Sequence, residues 1–119
     1  MLRNIRLELA RNPEFPLGST EHGYEFKAPL NGDGALDLDA WKTERRKCNV
    51  RRFWRGEPEE VGYLVHTRRR TWAFHYDGMD DEDEEPIFAF DRHNFVEGEY
   101  VSITEHDGVQ RTFQVMSVR

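Results

Sequence analysis

Three kinds of side chain in this sequence could carry chemistry: histidines, a single thiol, and charge gathered into blocks. His66 and His75 lie on either side of a hairpin connection. If the two strands pair with even parity, they are diagonal neighbours on one face, half of a metal or proton-transfer site that His22, His93 or His106 would have to complete. No HExxH pattern supports a metal site, and two half-exposed histidines on the second face of a sheet are the simpler reading. Cys48, the only cysteine, follows Arg45, Arg46 and Lys47 and precedes Arg51 and Arg52. Such a cationic setting depresses a thiol's pKa and makes it nucleophilic. Cys48 also falls on the apolar spacing of the adjoining helix, where a small buried cysteine packs as a hydrophobe, and this role is favoured. Ser19, Ser102 and Ser117 lack a GxSxG context, and Gly32 and Gly34 form an isolated GxG without the third glycine of a nucleotide-binding loop. The sequence points to no cofactor.

Charge is the clearest non-random feature. Residues 42–70 hold ten basic and four acidic side chains, whereas residues 77–85 hold seven acids and no base. The basic block suggests an anion-binding face made of Arg45, Arg46, Arg51, Arg52, Arg55, Arg68, Arg69 and Arg70, with Trp54 or Trp72 as a stacking surface for a base. Against it stands the net charge of −6, which opposes long-range attraction to nucleic acid. Cations near a helix C-terminus also favour the macrodipole without any ligand. In the acidic block, Asp77, Asp80, Asp81 and Asp83 offer oxygen ligands to a hard cation, but not in the order of an EF-hand loop. Seven mutually repelling carboxylates read as a mobile acidic loop over 77–85 that cannot occupy a core.

The elements that must position these groups follow from periodicity. Ile5, Leu7 and Leu9 alternate with Arg6 and Glu8, predicting a strand over 3–10. After turn formers from Asn12 to Ser19, the alternation of Tyr24, Phe26, Ala28 and Leu30 predicts a second strand antiparallel to the first. Asn31-Gly32-Asp33-Gly34 then breaks the chain. Asp37 is placed to cap the one expected helix, over 37–47, with Leu36 and Trp41 at hydrophobic-staple positions. Val50 to Trp54 forms a third strand with arginine on one or both faces. Across the connection 68–71, an even loop pairs Tyr63 with Tyr76, Val65 with Phe74 and Thr67 with Trp72. Leu64, His66, Ala73 and His75 then share the opposite face. Pro86 to Phe90 is a short strand. In the last hairpin, around Asp107-Gly108, a three-residue loop sets Val101 by Val115, Ile103 by Phe113 and Glu105 by Arg111. About seven strands and one helix, joined mainly by hairpins, predict a mostly β chain (α+β) whose antiparallel sheet curls into a small barrel or sandwich, with the helix closing one end.

With 119 residues and 14.2 kDa, residues 1–119 fit a single domain whose core needs no staple. The mean hydropathy of −0.86, the absence of a long apolar run and a start without a signal-peptide core predict a cytoplasmic protein without a membrane span. The stretches His22-Gly23-Tyr24-Glu25-Phe26-Lys27-Ala28-Pro29-Leu30 and Glu97-Gly98-Glu99-Tyr100-Val101-Ser102-Ile103 resemble a family of small, uncharacterised β-rich bacterial proteins. The resemblance implies a bacterial cytosolic origin and carries over no site residues. A well-patterned fold without a convergent catalytic set points to a non-enzymatic domain that binds a protein partner or itself. Phe15, Trp54, Phe88 and Phe95 are candidates for an exposed partner patch, and an open sheet edge for pairing with a second copy. Two alternatives stand beside it: RNA or another polyanion bound by the arginine-rich face, and a metal-dependent or thiol enzyme using His66, His75 or Cys48.

Overall fold

A computed structural model describes residues 2–78, 85–89 and 94–119, with the backbone alone for residues 88 and 89. Eight strands follow one another: β1 (Leu2–Leu9), β2 (Ser19–Pro29), β3 (Asn49–Trp54), β4 (Glu60–His66), β5 (Trp72–Tyr76), β6 (Glu85–Ala89), β7 (Tyr100–Thr104) and β8 (Gln110–Val118). Each pairs antiparallel with the next, and β8 pairs back to β1, so the sheet closes into a barrel. Ile5, Leu7, Tyr24, Phe26, Val50, Leu64, Phe74, Ile87, Val101, Ile103, Phe113 and Val115 fill its interior, the inward set of a period-two pattern. Each of the eight strands therefore has a neighbour on both sides, and the open sheet edge expected from the sequence is not seen among the described residues.

The two ends of the barrel differ. One, the helix end, carries α1 (Leu38–Glu44), the 3₁₀ turn Arg45–Lys47, the 67–71 turn and both chain termini. The other, the loop end, carries connections 10–18, 55–59 and 105–109. As expected, Asp37 caps α1, its Oδ1 accepting the N–H of Ala40 at 3.1 Å. The helix tightens after Glu44 instead of running α-helically to 47, and the N–H of Cys48 bonds Arg45 O at 3.2 Å. The tightened turn delivers Cys48 into the buried core cluster. The indole N–H of Trp41 donates to Leu64 O at 2.9 Å, pinning the helix over its end of the barrel.

Both predicted hairpin registers need correction. In β4–β5, Tyr76 faces Gly62 and not Tyr63, and the pairs continue as Tyr63 with His75, Leu64 with Phe74, Val65 with Ala73 and His66 with Trp72. The connection has five residues, because Arg70 takes a left-handed conformation that adds one to the expected four. Gly62 permits the close approach: a Cβ there would lie 2.0 Å from His75 O. Leu64 and His66 thus join Trp72, Phe74 and Tyr76 on the inner face, while Tyr63 turns outward and is 44% exposed. In β7–β8, Val101 faces Phe113 and Ile103 faces Arg111, two residues away from the expected pairing. That shift preserves parity, so the inward set is as predicted.

Candidate binding surface

The inward phase of several strands carries charge at the loop end. Arg52 continues the inward line from Val50, Glu105 extends that of Val101 and Ile103, and Arg111 precedes Phe113 on β8. Glu85 opens β6 two residues before Ile87. These groups meet around two tyrosine hydroxyls inside the barrel. Glu105 accepts from Tyr24 OH at 2.7 Å, Arg52 Nε at 3.0 Å and Arg111 Nη1 at 2.7 Å. Glu85 accepts from Tyr76 OH, from Tyr24 OH at 3.1 Å and from the N–H of His106 at 2.9 Å. The guanidinium carbons of Arg52 and Arg111 lie over the indole of Trp54, at 4.4 and 5.4 Å from its ring centre. His22 packs edge-on against Trp54, 4.4 Å between ring centres, and against Phe15, while Ser19 Oγ and His22 Nδ1 are 2.6 Å apart.

Two guanidinium cations balance two carboxylates in this network. Burial raises the Glu85 carboxyl above its ordinary value, although the bonds from Tyr76 and His106 pull the other way. Burial, with the carboxylates adding to it, holds both tyrosines well above the usual phenol range, so they remain hydroxyl donors. Burial alone would lower Arg52, but Tyr24 and Glu105 outweigh it and raise it. His22 is lowered by burial, with Arg52 and Arg55 adding to the effect against Glu21. Among the described residues no buried side-chain nitrogen or oxygen lacks a partner. The buried donors and acceptors of this set satisfy one another and fill the loop end of the barrel, with Trp54 and Arg111 at its mouth.

This arrangement corrects several expectations. Glu85 is not part of a solvated loop: its side chain is 0% exposed, because three donors and Arg52, 4.0 Å away, compensate its charge. Asp77 is exposed, and residues 79–84, with Asp80, Asp81 and Asp83, lie outside the described residues. Arg52 does not belong to an exposed basic face, since its side chain is 4% exposed inside the barrel. Trp54 is half-buried, with the guanidinium groups of Arg52 and Arg111 stacked over its ring. Phe95 is in the core and Phe15 is half-buried against His22, so neither makes an exposed patch; the Phe88 side chain and His93 lie outside the described residues. His66 and His75 point to opposite faces of the sheet and cannot share a metal. His66 packs between Trp41 and Trp72, at 6.3 and 4.9 Å between ring centres. Among the described residues no group of His, Cys, Asp and Glu could hold a metal ion. Burial, aided by Glu44, pushes the Cys48 thiol up to about 11, the opposite of activation.

The basic residues therefore separate by location. Arg51 lies on the outer wall, held by Glu25 at 2.9 Å and by Glu59, and together with Arg6 it covers the ring of Phe53. Arg55 projects at the loop end beside Glu21 at 3.1 Å. Arg45, Arg46, Arg68, Arg69 and Arg70, joined by Lys42 and Lys47, are all exposed at the helix end. They are brought together because Trp41 packs edge-on on Trp72, 5.6 Å between ring centres, and lies beside His66, the two residues that flank the 67–71 turn. None of the seven has an ion pair among the described residues, unlike Arg6, Arg51, Arg52, Arg55 and Arg111. Among the described residues no helix is long and apolar enough to cross a membrane. No known protein family, curated protein sequence or solved structure matches the chain.

Proposed function

We propose that this chain is a non-enzymatic, cytoplasmic bacterial binding domain that docks a protein partner, through the basic helix-end rim, on an acidic stretch of that partner. The observation that carries the reading is the sorting of cations. Among the described residues, Arg6, Arg51, Arg52, Arg55 and Arg111 are each held by a carboxylate of the same chain, whereas the clustered arginines of this rim stand exposed with none. Desolvating such groups against partner carboxylates yields charge-assisted hydrogen bonds and a fast, steered encounter. A protein is favoured over nucleic acid because Trp41 and Trp72, the rim's aromatic rings, are buried and offer bases no stacking platform. The net charge of −6 points the same way.

The test is capture from a bacterial lysate split into nuclease-treated and untreated halves, using the wild type and an Arg68→Ala/Arg69→Ala/Arg70→Ala variant. One protein retained after nuclease treatment, lost with the variant and released at about 0.5 M salt, where the screening length is about 4 Å, is the expected result. Nucleic acid recovered from the untreated half and lost with the variant refutes the protein reading in favour of a polyanion ligand. Equal capture by both proteins refutes the rim altogether.

A further inference from the structure

The 67–71 turn carries a feature that the rim's charge does not require. Arg70 adopts φ 62, the only left-handed backbone of a non-glycine residue among those described. Gly18, Gly34, Gly56, Gly78, Gly98 and Gly108 take every other such position. A side chain crowds the backbone there, and glycine or asparagine adopts the conformation with far less strain. Nothing among the described residues rewards an arginine at this point, since its guanidinium has no hydrogen bond or ion pair with any of them.

The turn beneath it is tightly closed. Thr67 N–H donates to Thr71 O at 2.8 Å, Arg70 N–H to Thr67 O at 3.0 Å, and the two threonine hydroxyls are 2.7 Å apart. Thr67 Oγ1 also accepts the N–H groups of Arg69 and Thr71, at 3.2 and 3.3 Å. The backbone donors of Arg69, Arg70 and Thr71 are thus consumed inside the turn, and what these three residues offer an incoming anion is their side chains. Three consecutive arginines leave a fixed base, so less conformational freedom is lost when they close on a ligand. All three being arginine favours planar, two-pronged recognition over simple charge attraction.

We infer that the Thr67–Thr71-clamped turn is a preorganised carboxylate clamp, and that Arg70, held in its strained conformation, is the residue that grips the acidic partner segment. This rests on the reading of the helix-end rim as the docking surface. Backbone strain that the surrounding hydrogen bonds hold in place is a recurrent property of ligand clamps.

The experiment follows the binding of a fluorescent deca-glutamate peptide by anisotropy at low ionic strength, together with thermal unfolding. The proteins compared are wild type, Arg70→Gly, Arg70→Lys and the single-charge control Lys42→Ala. Arg70→Gly is expected to raise the unfolding midpoint, because the strain is relieved, and yet to weaken peptide binding about tenfold. Arg70→Lys, which keeps the charge and loses the fork, is expected to weaken binding nearly as much, and Lys42→Ala only a few fold. If Arg70→Lys binds as the wild type does, or Arg70→Gly loses no more than Lys42→Ala, the clamp is refuted while the rim stands. A lowered unfolding midpoint for Arg70→Gly refutes the strain argument. If the wild type does not bind the peptide, or binds a uridine decamer more tightly, the protein-docking reading itself fails.

Discussion

Glu105 is the hub of the buried network, and removing it tests whether the loop end is closed as described. One carboxylate takes Tyr24 OH, two nitrogens of Arg52 at 2.9 and 3.0 Å, and Arg111 Nη1 at 2.7 Å. In Glu105→Leu, Arg111 keeps Asp107 and Glu14 at 3.1 and 3.2 Å, but Arg52 keeps only Glu85 at 4.0 Å and partners at the mouth, Glu57 and Glu60, at 3.4 and 3.8 Å. A buried cation stripped of its main partner costs about 3–5 kcal/mol. A chain of this length has a total stability of roughly 6–18 kcal/mol, so the variant stays folded with about 1–15 kcal/mol remaining. The double variant Arg52→Met/Glu105→Leu removes both charges and fills the space with apolar atoms. It is expected to lie within about 1–2 kcal/mol of wild type, giving a coupling of at least about 2 kcal/mol between the two sites. Urea unfolding followed by far-ultraviolet circular dichroism measures this: with a slope of about 1–3 kcal/mol per molar, the single variant's midpoint falls by about 2 M. A fall below about 0.5 M at unchanged slope, or single effects that simply add in the double variant, refutes the closed network, since either means that water solvates Arg52.

The same network predicts a pH dependence. Burial raises Glu85 above the ordinary 4.5, so the folded state holds that proton more tightly than the unfolded chain does. Wild type therefore gains stability relative to Glu85→Gln as pH falls through the raised folded value towards about 4.5, and the difference is flat below it. Urea midpoints of the two proteins between about pH 7 and pH 4 give the difference directly, and a constant or reversed difference contradicts the assignment. In the β4–β5 hairpin, Gly62→Ala places a methyl 2.0 Å from His75 O and 2.6 Å from Tyr76 Cα, so the strands must part. A loss of about 1–3 kcal/mol or more is expected, with faster amide exchange in β4 and β5. Gly56→Ala, which meets no atom within 4 Å but has φ +83, is expected to lose only about 1 kcal/mol. Equal losses for the two would contradict the register.

Period-two alternation made most of the barrel legible, because a strand with one buried face writes that face into every second residue. It carried β1 and β2, and the inward set of β7 and β8 survived a wrong loop length because a shift of two preserves parity. It failed for β4, where parity hung on one residue of a turn. The sequence offers no glycine or asparagine at the left-handed position, so the extra residue at Arg70 left no conformational signal. That single shift moved Tyr63 out, brought Leu64 and His66 in, and separated His66 from His75. Glu85 was misread for a different reason: its neighbours in sequence are acidic, and the donors that make its burial possible come from Tyr24, Tyr76 and His106, far along the chain or across the barrel. A sum of local charge cannot show such compensation. A signal was present, since Arg52, Glu105 and Arg111 each stand in phase with buried apolar residues, and a charge on an inward phase calls for partners on the facing strands.

The two roles of arginine in this chain follow from the same physics and bear on how salt will act. Arg52 and Arg111 are desolvated, their carboxylates lie within hydrogen-bond distance, and ions in solution barely screen them. Arg45, Arg46 and Arg68–Arg70 are in water, where a partner's field is screened over a Debye length of about 8 Å at physiological ionic strength. Rising salt should therefore release a ligand from the helix-end rim well before it loosens the loop-end network. Counted together, the arginines from residue 45 to residue 70 suggest one anion-binding face. Sorted by whether a carboxylate of the same chain holds them, they divide into Arg51, Arg52 and Arg55, which are paired, and Arg45, Arg46 and Arg68–Arg70, which stand exposed with no ion pair among the described residues.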